Sequence, residues 1–454
     1  MKKFILLIGD IALLYASLAL TLWIRYGELS HELWQKHLVP FTIVFSIWLI
    51  VFFINGLYEI SKVTNDFKFY GNLIQNLITN GLLSMIFFYL ILGRLGQLRP
   101  QTVLLILIVI FAILFLIWRK IFYNLISSST LSNNLALIGI NHESLLLIEE
   151  VSTKPQLGYK LKLIINPDYS EVPQKYQLVP ISRDIANLKD QLIKYKINTV
   201  VTTNNPKYGP EVARYLFESI DLKIKYFNLT DFYEKITGKI PLTALERHWF
   251  LDNISKKNSS WFLLVKRIID IFFSLFFGLI YLIFLPLIAL LIKLESPGPI
   301  IYTQKRVGLG GKIFTVYKLR SMVQNAEKDG AKWAEHGDSR VTHIGRFIRK
   351  SRIDEAPQFF NILKGDMSFV GPRPERPEFV EELKKSITFY NERHLVKPGL
   401  TGWAQINFPY GSSVEDAKQK LSFDLFYIKN QSTALDISII LKTINTVFNV
   451  TLGR

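Results

Sequence analysis

The residues best suited to chemistry are two adjacent acids, Asp354 and Glu355, in the run Asp354-Glu355-Ala356-Pro357-Gln358. They follow directly on a stretch from Arg340 to Arg352 that holds Arg340, Arg346, Arg349, Lys350 and Arg352 and no acid. Within it and just past it, Ile344, Phe347, Ile348 and Ile353 recur at the spacing of a basic amphipathic helix. Carboxylates beside so much positive charge are expected to be ionised and electrostatically anchored. The plainer reading is a salt-bridged helix terminus, because acids ahead of a proline suit the start of a new helix. The residues of this run alone leave both open. Other chemistries are excluded outright. The chain has no cysteine, so disulfides, iron–sulfur clusters and thiol nucleophiles are absent. Its seven histidines never fall four apart, which removes zinc-protease spacing. The glycine loop Val307-Gly308-Leu309-Gly310-Gly311 reads first as the tight turn of a hairpin, Ile300–Arg306 with Lys312–Met322, and only weakly as a phosphate cradle.

Elements that could position these acids are legible from the apolar pattern. The 454 residues are 49% hydrophobic and carry a net charge of +17, which favours lipid headgroups, phosphate-bearing substrates or nucleic acid as partners. Four early apolar stretches, Phe4–Ile24, Leu38–Gly56, Leu73–Leu92 and Val103–Trp118, are each about long enough to cross a hydrocarbon layer of ~30 Å as helix. With the N-terminus inside, Lys2, Lys3, Lys62, Lys68, Arg119 and Lys120 lie at inner ends, and Arg25, Lys36, Arg94 and Arg99 at outer ends. This bias puts everything after Tyr123 in the cytoplasm. A Ser-rich linker, Ser127–Ser132, follows. Strand-like runs (Leu135–Ile140, Leu161–Ile165, Asn198–Thr203, Ile224–Phe227) then alternate with helical ones (Glu143–Val151, Ile185–Tyr195, Pro210–Ser219), which predicts a doubly wound parallel sheet. Its first turn, Gly139-Ile140-Asn141-His142-Glu143-Ser144, has one glycine where a dinucleotide fingerprint has three, so a structural or regulatory module is expected there.

A fifth apolar stretch, Ile271–Ile292, carries Pro286 and is basic on both sides, with Lys256, Lys257, Lys266 and Arg267 before it and Lys293, Lys305, Arg306, Lys312, Lys318 and Arg320 after it. The plain reading is a fifth spanning helix with a proline kink. The sharper one is a helix that enters the inner leaflet, breaks near Leu285-Pro286 and returns to the same face.

Past the acids, Lys364-Gly365-Asp366-Met367-Ser368 and Val370-Gly371-Pro372-Arg373-Pro374 complete a series of spaced motifs. The series includes Lys266-Arg267-Ile268-Ile269-Asp270, Pro286, Ser296-Pro297-Gly298-Pro299, Gln304-Lys305-Arg306-Val307-Gly308, Lys318-Leu319-Arg320-Ser321-Met322 and Lys397-Pro398-Gly399-Leu400-Thr401-Gly402-Trp403. From about Trp261 onward the chain resembles the bacterial sugar transferase family, the monotopic polyprenyl-phosphate hexose-1-phosphate transferases. The whole chain looks like that family's long form. The resemblance implies a membrane α-helical N-terminal bundle (1–126), an α/β Rossmann-like middle domain (127–255), and a mixed α/β monotopic catalytic domain (256–454) with a re-entrant helix at about 262–292. Some members carry Ser before the helix-breaking proline; this chain has Leu285, so the break is expected to rest on Pro286 alone.

The implied reaction moves sugar 1-phosphate from a UDP-sugar to undecaprenyl phosphate, releasing UMP, as the first membrane step of surface-glycan assembly. The resemblance makes Asp354 the nucleophile and Glu355 its neighbour in holding Mg2+, with Asp354 sharing the metal. Arg352, Arg373 and, less centrally, Arg320 are implied phosphate clamps, and Gln358 lies with them as a substrate contact. Lys266, Arg267 and Asp270 would sit at headgroup level, either pairing within the protein or touching the lipid phosphate. Expected partners are the UDP-sugar, undecaprenyl phosphate and membrane lipids but no nucleic acid, with a homodimer left open. The expected location is the bacterial inner membrane, with catalysis on the cytoplasmic face.

Two rivals come from other classes. A membrane-anchored nucleotide-sugar dehydratase or epimerase needs a full glycine fingerprint and a Tyr-x-x-x-Lys pair in the sheet domain, yet the spacing from Tyr58 to Lys62 falls in a joint between spans. A non-enzymatic regulator of polysaccharide export predicts an inert C-terminal unit.

Overall fold

A computed structural model of the chain describes residues 2–92 except 63 and 65, 101–127, and 132–203 except 168–170 and 177–178. It further describes 209–254 except 246, 260–324, 326, and 338–448 except 410 and 412. Arg94, Arg99, Lys256, Lys257 and most of the Ser-rich linker therefore lie outside the described residues. The chain divides into two compact units, Met1–Phe232 and Tyr233–Arg454.

The first unit opens with the apolar helices α1 (Lys2–Tyr26), α2 (His31–Ile54), α3 (Phe67–Phe87) and α4 (Gln101–Ser127). Ser30 and Asp66 cap α2 and α3 by accepting from Leu33 N and Phe69 N, which satisfies donors that the first turn leaves over. Each helix turns an apolar stripe inward, giving a core of Leu14, Leu18, Phe41, Trp48, Phe52, Leu73, Leu107, Phe111 and Phe115. Many outward positions, such as Ile8, Ile50, Ile78 and Val109, are also apolar. Helices that are hydrophobic all round suit lipid rather than water. One ion pair, Arg119 to Asp10 at 2.6 Å, lies wholly inside, and Arg119 also donates to Leu57 O, joining three segments. Tyr58 lies under the Arg119 guanidinium.

The same unit continues as β1 (Asn133–Ile138), α5 (His142–Thr153), β2 (Tyr159–Ile165), β3 (Ile181–Ser182), α6 (Leu188–Lys194), β4 (Thr199–Thr202), α7 (Gly209–Glu218) and β5 (Lys225–Asn228), and α8 (Leu229–Thr237) begins in it and continues past Phe232 into the second. All strand pairs are parallel, in the order β3-β2-β1-β4-β5. The continuous apolar runs of β1, β2 and β4 follow from burial on both faces.

The second unit holds α9 (Arg247–Asn253), α10 (Ser260–Glu295), the antiparallel pair β6 (Ile301–Val307) and β7 (Ile313–Leu319), α11 (His343–Lys350) and α12 (Gln358–Lys364). It ends with β8 (Ser368–Val370), α13 (Pro377–Ser386), β9 (Gly399–Thr401), α14 (Trp403–Asn407), α15 (Val414–Lys429) and α16 (Thr433–Phe448). Its core gathers Ile240 and Trp249 with Val316, Ile362, Met367, Leu421, Leu425, Tyr427 and Ile439.

Two elements differ from expectation. The basic stretch from Arg340 to Arg352 is helical only over His343–Lys350. Thr342 caps it by accepting from Gly345 N, and Arg352 leaves the helix in a left-handed conformation at φ +58°. The break expected at Leu285-Pro286 does not interrupt α10, which stays helical from Ser260 to Glu295 with Pro286 inside. Packing carries the helix through that point, because Tyr281, Leu285, Ile288 and Ile292 join one apolar cluster with Leu319, Ile348 and Ile353.

Both ends of α10 are bound to the second unit. Near its start Lys266 pairs with Asp436 at 2.7 Å, and Asp270 accepts from Ser368 Oγ and Phe369 N. At its finish the Glu295 carboxylate accepts from His343 N and Ile344 N, capping α11. The opposite face, including Phe272, Phe276, Leu279, Ile283, Leu287 and Leu294, is apolar and exposed.

Candidate active site

The paired acids stand where three backbone segments converge. Left-handed Arg352 turns the chain out of α11, and Ile353–Glu355 form a single 3-10 turn leading to α12. That helix is bolted to the hairpin by Asn361, whose Oδ1 accepts from Tyr317 N and whose Nδ2 donates to Thr315 O. The third segment, Gly371-Pro372-Arg373-Pro374, follows β8. A Cβ on Gly371 would stand 2.3 Å from Lys397 O, and one on Gly399 2.0 Å from Gly371 N, so only glycine permits this approach of two backbones.

Glu355 collects the positive charge. Its Oε1 accepts from Arg373 Nη2 at 2.5 Å and Lys318 Nζ at 3.1 Å, and Arg352 Nη1 lies 3.8 Å away. Its Oε2 is reached by Arg373 Nη1 at 3.4 Å, which makes the arginine contact two-pronged. Burial alone would raise the Glu355 carboxyl, but Arg373, Lys318 and Arg352 outweigh it and hold the group well below the usual range. Asp354 is different. Burial first, and then the Glu355 charge, pushes its carboxyl above the usual aspartate range, with Lys318, Arg352 and Arg349 opposing. The expectation that both acids are strongly ionised thus holds for Glu355, whereas Asp354 is drawn toward its protonated form. Asp354 is 6% exposed, and its Oδ1 has no hydrogen-bond partner among the described residues. A buried oxygen without a donor is costly unless something else approaches it.

The structure thus brings together Asp354, Glu355, Arg352 and Arg373, and adds Lys318. Gln358 follows on α12 and is buried. The other four candidates are engaged with backbone elsewhere in the unit. Arg320 donates to Ile292 O and Ser296 O at the end of α10. Lys266 donates to Val370 O, and Arg267 donates to Ile362 O and Leu363 O, the last carbonyls of α12. Asp270 holds β8. Lys266, Arg267 and Asp270 thus each have a partner within the protein.

No group of three or more acidic or histidine side chains among the described residues could cage a metal. The donor set fits a different kind of site. Mg2+ characteristically takes one or two carboxylates and completes its shell with substrate phosphates and water. Asp354 Oδ1, lacking a donor, and Glu355 Oε2, with its long contact to Arg373, supply oxygens of that kind.

Comparison with known proteins gives this arrangement a lineage. Residues 261–450 match the family described as bacterial sugar transferase. The chain is 39% identical over 201 residues to the exopolysaccharide production protein PSS of Rhizobium leguminosarum bv. phaseoli, covering 42% of this chain and 98% of that one. It belongs to the bacterial sugar transferase family. The UDP-N-acetylgalactosamine-undecaprenyl-phosphate N-acetylgalactosaminephosphotransferase of Aeromonas hydrophila is 42% identical over 240 residues, 52% of this chain and 55% of that one. The chain therefore spans about half the length of that relative. The UDP-glucose:undecaprenyl-phosphate glucose-1-phosphate transferase of Klebsiella pneumoniae is 31% identical over 338 residues, 72% of this chain and 69% of that one.

Proposed function

We propose that this transferase moves sugar 1-phosphate from a UDP-sugar to undecaprenyl phosphate in two steps through Asp354. The observation that carries the reading is the buried, donorless Asp354 Oδ1 beside a carboxylate held by Lys318, Arg352 and Arg373. In the first step the Asp354 carboxylate attacks the sugar-bearing phosphorus. The phosphorus–oxygen bond to UMP breaks, and UMP leaves with the electron pair. In the second step a phosphate oxygen of the acceptor attacks the same phosphorus, forming the lipid diphosphate and restoring the carboxylate. Phosphoryl transfer depends on alignment and on neutralising the equatorial oxygens. Arg352 and Arg373 supply guanidinium groups for those oxygens, since donor phosphates offer them a richer anion than Glu355 alone. Mg2+, held by Asp354 and Glu355, would supply charge neutralisation on the departing phosphate.

The names of the relatives support a UDP-sugar donor and an undecaprenyl phosphate acceptor. The tie of both ends of α10 to one polar unit supports a helix that dips into one leaflet, because a spanning helix would carry its far end away from that unit. The unit would then work on the cytoplasmic face of the inner membrane.

Intact-mass analysis of enzyme treated with UDP-sugar, before acceptor is added, tests the mechanism. The expected result is a mass gain of one sugar phosphate, absent in Asp354→Asn. An unmodified mass with every donor in a panel of UDP-sugars, from protein that turns over when acceptor is present, would falsify the two-step route. For the topology, a C-terminal tag reachable only from outside intact cells overturns the dipping helix.

A further inference from the structure

The segment that presents Arg373 to Glu355 has little regular structure of its own, yet its carbonyl oxygens are taken up one after another. Val370 O accepts from Lys266 Nζ and Tyr427 OH, and Pro372 O from Gly399 N. Pro374 O accepts from Arg306 Nη1, and Glu375 O from Val307 N. Arg373 O accepts from Arg393 Nη2 at 3.0 Å. Three cations from three separate elements therefore grip one short stretch by its backbone.

Arg393 is the most constrained of these. It is 5% exposed; Nη1 donates to Tyr390 OH at 2.6 Å, and Nη2 also lies 2.9 Å from Asp424 Oδ2 on α15. Tyr390 is itself buried, with its ring beside the guanidinium. The guanidinium is thus fixed by a hydroxyl and a carboxylate and spends a third contact on the carbonyl of the residue whose own guanidinium meets Glu355. If only bulk were needed here, apolar side chains of similar volume would fill the space without the desolvation that a buried ion pair costs. A charged donor holds a carbonyl more firmly than a neutral one.

We propose that Arg393, braced by Tyr390 and Asp424, is a positioning residue for the transfer reaction: it fixes the backbone of Arg373 so that its guanidinium meets the donor phosphates in register. This rests on the reading of Arg373 as a phosphate contact. A shift of ~1 Å in a positioned group can lower turnover ~100-fold, so a distant brace of this kind is kinetically visible.

The test is a double-mutant cycle on the full chain in detergent, reading kcat/KM for UMP release together with the thermal midpoint. Arg393→Gln is expected to lower kcat/KM roughly 10- to 100-fold in the otherwise unaltered enzyme and less than about 2-fold in Arg373→Ala. Arg393→Lys should recover part of the loss, because a cation can still reach the carbonyl. If Arg393→Gln does not fold, Tyr390→Phe replaces it, with a smaller loss in the same pattern. Equal losses in both backgrounds, following the thermal midpoint, mean a general packing role and overturn the proposal. An Arg373→Ala enzyme with undiminished kcat/KM instead overturns the phosphate reading of Arg373, and is recognised from that single variant.

Discussion

Lys318 Nζ lies 3.1 Å from Glu355 Oε1, joining the end of β7 to the turn that carries the paired acids. Its charge also favours the ionised form of Asp354. Lys318→Met should therefore act twice. It is expected to lower kcat/KM for UMP release by about 10-fold or more, the scale of one lost charge-assisted contact. It should also move the acid limb of the rate profile to higher pH, because Asp354 loses a cation that holds it ionised. Steady-state rates from pH 5 to 8 check both.

On the proposed route attack requires the Asp354 carboxylate, and burial with the Glu355 charge raises that group above the usual aspartate range. The rate should consequently fall on acidification well above pH ~4, the ordinary aspartate value. Glu355→Gln removes the neighbouring negative charge, so the residual activity of that variant should show its acid limb at lower pH. A limb that stays in place argues that another group controls it.

Asn361 is fully buried and satisfies both Tyr317 N and Thr315 O. Asn361→Leu leaves one donor and one acceptor of the strand unpaired, at a cost of roughly 2–4 kcal/mol. The thermal midpoint should drop accordingly, and Asn361→Asp should lower it as well, because its carboxylate would face Thr315 O with no proton to donate.

His394 is held neutral: burial first, and then the Arg393 charge, lowers its imidazole to about 4. The unfolded chain takes up that proton at about 6.5. Its contribution to stability is therefore complete above about 6.5 and is lost as pH falls toward 4. Melting curves between pH 7.5 and 4.5 should show His394→Gln losing less stability on acidification than the unaltered protein.

Much of this site could be read from residue types alone, and what could not has a common physical cause. The contrast of two acids after a basic run marked Asp354 and Glu355, and the motif around Arg373 marked its partner. Within Lys318-Leu319-Arg320, however, the resemblance pointed to Arg320, which falls just past the end of β7, and not to Lys318. Arg320 instead donates to carbonyls at the end of α10. Arg393 carried no local signal, since the carbonyl it holds lies 20 residues away in sequence. The apolar helices and the parallel sheet were clear because each follows from a repeating local pattern. The continuity of α10 through Pro286 was not, because it depends on side chains from β7 and α11 packed alongside.

Arg352 adopts φ +58°, a conformation that L side chains enter at a penalty of about 1–3 kcal/mol. The same kink delivers a guanidinium and, two residues on, the acid proposed as nucleophile. Glycine there would enter the same conformation without that penalty, so a gain in heat tolerance at this turn comes only with loss of the guanidinium.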